Sequence, residues 1–82
     1  MVRELKGHAC GVTSVAWNHD STRLATTSWD RMARIYAVDG TLVHELEGHT
    51  GAVVSVAWNR DSTRLATASY DYTVRTWTLT TL

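Results

Sequence analysis

The sequence predicts an all-β fold of antiparallel four-stranded sheets, with two such units written into one chain of 82 residues. Three observations carry that expectation. The chain repeats itself at an offset of 41 positions, so that "VTSVAWNHDSTRLATTSWD" falls on "VVSVAWNRDSTRLATASYD" and "ELKGH" on "ELEGH". Roughly half of the aligned positions are identical, and a fixed period near 40 residues marks a repeat architecture. Short β-branched and aromatic runs alternate with turn-forming clusters, and no stretch shows a sustained helical period with a cap.

The elements follow in chain order. "VREL" at residues 2–5 reads as a short strand. "VTSVAW" (12–17) and "VVSVAW" (53–58) read as strands that open each unit. "TRLATTS" (22–28) and "TRLATAS" (63–69) follow after "NHDS" and "NRDS", clusters that favour turns. "MARIYAV" (32–38) and "TVRTWTL" (73–79) come third, and "TLVHEL" (41–46) matches "VREL" as a fourth strand. Asp39-Gly40 is a two-residue hairpin signal between the third and fourth strands, with either the glycine alone or both residues expected in the left-handed region. Apolar residues fall on both faces of these strands, so each sheet is expected to be covered on both sides. The units divide as 1–41 and 42–82.

Composition narrows the function classes. Eight basic and eight acidic residues cancel, which removes the electrostatic argument for nucleic acid. No apolar run is long enough to span a membrane, and the charged start "MVRELKGH" does not read as a signal peptide. The single cysteine, Cys10, excludes an internal disulfide and fits a reducing compartment. A cytoplasmic location is expected, or a recombinant design with no native compartment.

The ordered set of Gly7-His8 and Gly48-His49, "SVAW", "LATxSxD" and an aromatic six residues after the aspartate occurs twice. Together these motifs resemble a WD-repeat β-propeller over essentially the whole chain. The resemblance implies blades that take three strands from one repeat and the outer strand from the next. It also implies that the Trp-Asp signature closes the third strand. Here Tyr36-Ala37 and Trp77-Thr78 stand at that place, and the visible Trp29-Asp30 falls in the turn between the second and third strands.

Two sets of polar residues follow from that alignment: His8, Ser28, Asp30 and Tyr36, and His49, Ser69, Asp71 and Trp77. Serine, histidine and aspartate together invite a hydrolase reading. The resemblance instead implies a structural network: the aspartate holds the histidine, the histidine meets the serine, and the indole N–H closes the chain. Tyr36 differs from tryptophan in reach and direction, so the first network is expected to be rearranged. No catalytic residue and no cofactor is expected. The four histidines and Cys10 lack the paired spacing of a metal site, so no metal is expected either. Arg34 and Arg75 read as members of balanced surface pairs with the repeated glutamates.

Trp29 and Tyr70 precede the network aspartates, in the turn that the resemblance places on the top face of a propeller. They are candidate anchors for a protein or peptide. The principal partner expected is the chain itself. Residues 53–79 supply three strands of a second blade and leave its outer edge bare, which is an aggregation hazard. From Asp30 to His49 is nineteen positions, and from Asp71 through Leu82 and Met1 to His8 of another copy is again nineteen. Val2, Arg3, Glu4 and Leu5 are therefore expected to complete a neighbour's blade. Propellers hold about 4–8 blades, and two repeats per chain permit only even totals. A homotetramer with eight blades is the first expectation and a homotrimer with six the second. Identity that extends into turn residues such as "NxDST" suggests recent amplification or design.

Overall fold

The structure, a computed structural model, describes residues 11–79, in which seven β-strands occur and no helix. The strands are β1 (Val12–Trp17), β2 (Arg23–Ser28), β3 (Met32–Ala37), β4 (Leu42–Glu47), β5 (Val53–Trp58), β6 (Arg64–Ser69) and β7 (Val74–Thr78). The first four form one antiparallel sheet in the order β1-β2-β3-β4, and the last three form a second in the order β5-β6-β7. The all-β reading is correct. The expected strand at residues 2–5 lies outside the described residues.

The strands expected at 12–17 and 53–58 match, the one expected at 41–46 is shifted by one residue, and those expected at 22–28 and 63–69 begin one residue too early because Thr22 and Thr63 belong to turns. Thr22 and Thr63 are recruited by the preceding aspartates: Asp20 Oδ1 accepts the Thr22 hydroxyl at 2.6 Å, and Asp61 Oδ1 accepts that of Thr63 at 2.6 Å. Asn18 Oδ1 takes the amides of Thr22 and Arg23, each at 2.9 Å, and Asn59 Oδ1 takes that of Arg64 at 2.9 Å. Ser21 and Ser62 occupy the left-handed region at φ 61 and 63. Asparagine, aspartate and threonine in "NxDST" therefore each have a turn-specific bond. Their identity in the two repeats has a structural cause and does not by itself point to recent copying.

The Asp39-Gly40 hairpin differs from the two-residue form. Gly40 N donates to Ala37 O at 2.9 Å while Ala37 N donates to Thr41 O at 2.8 Å, which encloses three loop residues, Val38, Asp39 and Gly40. Gly40 alone is left-handed, at φ 91, as the closing residue of a type I turn with a bulge. Asp39 instead uses its carboxylate, accepting the Thr41 amide at 2.9 Å. Arg31 and Tyr72 hold the corresponding left-handed position in the β2–β3 and β6–β7 turns, at φ 72 and 70.

The two sheets pack face on face through one apolar cluster of Ala25 and Ile35 from the first and Val56 and Leu65 from the second. Trp58 and Trp77 border it. The Trp58 indole N–H donates to Ala16 O at 3.0 Å, and the Thr13 hydroxyl donates to Val53 O at 2.5 Å, so β5 is tied to β1 by polar bonds as well as by apolar packing. Both faces of the central strands are covered: Ala25–Ser28 and Ala33–Tyr36 are buried throughout.

Repeat symmetry breaks at the outside. Val53 is 0% exposed beneath the first sheet, whereas its counterpart Val12 is 57% exposed. On the opposite face, Ala33 is 0% exposed and its counterpart Val74 is 71% exposed. Val53 and Ala33 are thus buried between the repeats, and their counterparts Val12 and Val74 are exposed at the two ends of the pair.

Candidate functional site

In the second repeat the polar network is complete. His49 Nδ1 lies 2.9 Å from Asp71 Oδ2 and His49 Nε2 lies 2.7 Å from Thr67 Oγ1. The Trp77 indole N–H donates to the same Thr67 oxygen at 2.9 Å. The proton accounting is unique for a neutral imidazole. An ionised carboxylate can only accept, so the imidazole proton sits on Nδ1, Nε2 accepts from the Thr67 hydroxyl, and the Thr67 oxygen in turn accepts the indole N–H. His49 Nδ1–H donates to the carboxylate. Each buried polar atom has a partner, as a packed sheet requires.

The residue that meets His49 is Thr67, where the sequence pointed to Ser69. Both side chains leave the same face of β6 because they are two residues apart. Thr67 sits deeper, beside Trp77. Ser69 ends the strand, where its hydroxyl donates to Gly51 O at 3.0 Å and accepts the Asp71 amide at 3.0 Å. That arrangement also answers the hydrolase reading in this repeat: the Ser69 proton is committed to a carbonyl, and His49 Nε2 faces a different hydroxyl. Gly51 permits the approach, since a Cβ there would stand 2.8 Å from the Asp71 amide nitrogen.

Asp71 is the hub. Its Oδ2 also accepts the Thr50 amide at 3.0 Å, and Oδ1 accepts the Thr73 amide at 2.9 Å and the Thr73 hydroxyl. The Thr73 hydroxyl first, then the His49 and Thr50 donors, hold its carboxyl far below the usual carboxylate range.

The first repeat is wired differently. Asp30 Oδ2 pairs with the Arg34 guanidinium at 2.9 Å, and Arg34 Nε pairs with Glu45 across β3 and β4 at 3.0 Å. Arg34 is buried, so this is not the exposed surface pair read from the sequence. Ser28 Oγ accepts the Asp30 amide at 3.2 Å, as Ser69 does for Asp71. Tyr36 is fully buried, and burial pushes its phenol up. His8, Cys10 and the four expected outer-strand residues lie outside the described residues.

Trp29 and Tyr70 come from successive repeats and meet: their ring centroids are 5.3 Å apart at 60°, an edge-to-face contact. Both remain open to solvent, at 54% and 59%. Among the described residues no cluster of histidine, cysteine, aspartate or glutamate forms a metal-binding group.

Two antiparallel sheets built from one 41-residue repeat and packed through a shared apolar cluster define the blades of a repeat protein. The chain belongs to the WD domain, G-beta repeat family, which it matches over residues 1–37 and 40–78. It is similar to the ribosome biogenesis protein WDR12 homolog of Aedes aegypti, with 47% identity over 38 residues. That match covers 46% of this chain and only 9% of the mosquito protein.

Proposed function

We propose that this chain is a non-enzymatic interaction scaffold whose two blades join head to tail with other copies into a closed homo-oligomeric propeller. The observation that carries the reading is the broken symmetry of burial. The surface around Val53 and Val56 packs on the surface around Ala33 and Ile35 within the chain, while Val12 and Val15 at one end and Val74 at the other stay exposed. A heterologous contact of this kind propagates until it closes into a ring or continues as a filament. Burying a valine side chain contributes about 1.5–3 kcal/mol, so covering Val12 and Val15 alone outweighs an exposed ion pair at about 0–1 kcal/mol. Four chains with eight blades is the favoured ring, and three chains with six the next. Matched faces are what an amplified or designed two-repeat unit provides.

Native mass spectrometry of the 82-residue chain tests it. Masses near four or three times 9.1 kDa are expected, and a folded monomer at micromolar concentration overturns the ring.

A second reading has its own observation. Proteins of this family commonly bind proteins or peptides, and the half-exposed Trp29–Tyr70 pair supports a docking face there. Retention of partners by the wild-type chain, lost in Trp29→Ala and Tyr70→Ala with the assembly intact, is the expected result. Equal retention by all three excludes this face.

A further inference from the structure

Among the described residues β7 has no strand on its outer side, and that edge carries chemistry that selects what binds it. β3 and β7 are the same strand of two repeats, and β3 is already paired. Its register with β4 sets Ala33 opposite Leu46, Arg34 opposite Glu45 and Ile35 opposite His44. Each β4 residue has a counterpart 41 positions earlier: Leu5 for Leu46, Glu4 for Glu45 and Arg3 for His44. Arg75 is the counterpart of Arg34. Arg34 is buried between Asp30 and Glu45, whereas Arg75 is exposed and has no ion-pair partner among the described residues. The Asp71 carboxylate is already taken by His49, Thr50 and Thr73. Arg75 therefore lacks an acid, and the segment homologous to β4 carries one at the matching place.

We propose that the β7 edge is the docking site for residues 1–6 of a second copy of this chain, in the register that sets Glu4 of that copy against Arg75. Val74 then faces Leu5, and Thr76 faces Arg3. The inference rests on the head-to-tail reading above and adds the pair that fixes its register. Apolar burial supplies most of the attraction, but apolar contact tolerates sliding. A slip of one residue turns every side chain of the docked strand to the opposite face and removes Glu4 from Arg75. The same hand-over explains the other end of the pair. β4 completes the first sheet, and the chain then starts β5, whose Trp58 bonds Ala16 O. Residues 1–6 of the second copy complete the neighbouring sheet, and the chain then starts β1, which sets Trp17 against the carbonyl of the exposed residue Ala57.

Charge reversal tests the register. Glu4→Arg and Arg75→Glu each put like charges together at every junction. Each variant alone should raise the concentration needed for assembly about a hundredfold or more. The double variant should assemble as wild type does. An equal mixture of the two single variants should also recover assembly. Each junction then joins a copy carrying one substitution to a copy carrying the other, and opposite charges meet whichever copy supplies the β7 edge. Such rings must alternate, so four chains close with two of each kind and three chains cannot close. Recovery in the mixture read by native mass spectrometry establishes pairing between copies, since pairing within one chain gains nothing from mixing. Single variants that assemble as wild type does, a double variant that fails to recover, or, where the wild-type ring holds four chains, a mixture that fails to recover overturns the register while wild-type rings still stand. A monomeric wild-type chain overturns the ring and this inference together.

Discussion

His49 Nε2 and the Thr67 hydroxyl lie 2.7 Å apart inside the second sheet, and the same hydroxyl links His49 to the Trp77 indole. Thr67 is buried, so its hydroxyl has no water to replace a lost partner. Thr67→Val keeps the shape and strands both an indole N–H and an imidazole nitrogen. The expected cost is about 1–3 kcal/mol, seen as a melting temperature lower by several degrees. Thr67→Ser keeps the hydroxyl and should lose much less. Equal melting of the two variants contradicts the network.

The Asp71 carboxyl is the network's pH-sensitive member. Its folded pKa is depressed, so its contribution is fully present above the ordinary value of 3.8 and drains away as pH falls below it. Asp20 and Asp61 are lowered as well, by the hydroxyls of Thr22 and Thr63, and act in the same direction. Melting temperature should therefore hold steady down to about pH 5 and fall as pH drops from there towards about 2. Asp71→Asn should flatten part of that slope and leave the part due to the turns. A slope unchanged in Asp71→Asn assigns the acid sensitivity elsewhere.

Left-handed backbone positions give a paired prediction. Gly40 at φ 91 and Tyr72 at φ 70 close two hairpins of similar design, one with a suitable residue and one without. A left-handed residue with a Cβ costs roughly 1–2 kcal/mol. Gly40→Ala should lower the melting temperature. Tyr72→Gly should raise it slightly, the glycine's greater unfolded-state freedom offsetting part of the gain. Tyr72 is almost wholly exposed, so little packing is lost. A destabilised Tyr72→Gly variant shows that the tyrosine ring contributes more than its backbone costs.

The sequence made the strands and their order legible because period-two patterning and turn clusters are local signals. It also pointed to His49, Asp71 and Trp77, whose spacing follows the family pattern. Thr67 was missed because it shares a strand face with Ser69, and depth along a strand leaves no mark in alternation. Arg34 was missed for a different reason. Arg34 and Arg75 are the same letter in the same phrase, and only the presence of β4 beside one of them makes it a buried ion-pair centre. Burial at that position is set by the neighbouring strand, which the repeat itself does not encode. The Asp39-Gly40 loop was placed correctly but gained a third residue, because the Asp39 carboxylate holds the Thr41 amide and makes the longer turn favourable.

The last prediction concerns a bond that the second repeat cannot make. Between the sheets, the Thr13 hydroxyl donates to Val53 O at 2.5 Å and contacts the Thr27 hydroxyl at 2.8 Å. The counterparts of Thr13 and Thr27 are Val54 and Ala68. At a junction between copies, Val54 stands where Thr13 stands within the chain, and the Val12 carbonyl of the next copy receives no donor from it. Val54→Thr should supply that donor, and adding Ala68→Thr should restore the hydroxyl pair. The double variant is expected to tighten assembly by about 0.5–1.5 kcal/mol, a shift of severalfold in the concentration at which rings dissociate. The same substitutions leave the contact within the chain untouched, so the stability of the two-sheet unit should hardly change. Dilution followed by native mass spectrometry reads the first effect. Melting of a Glu4→Arg chain, which is expected to stay unassembled, reads the second. Tighter rings with an unchanged unit place Val54 at the junction, whereas a more stable unit with unchanged rings places it away from the junction.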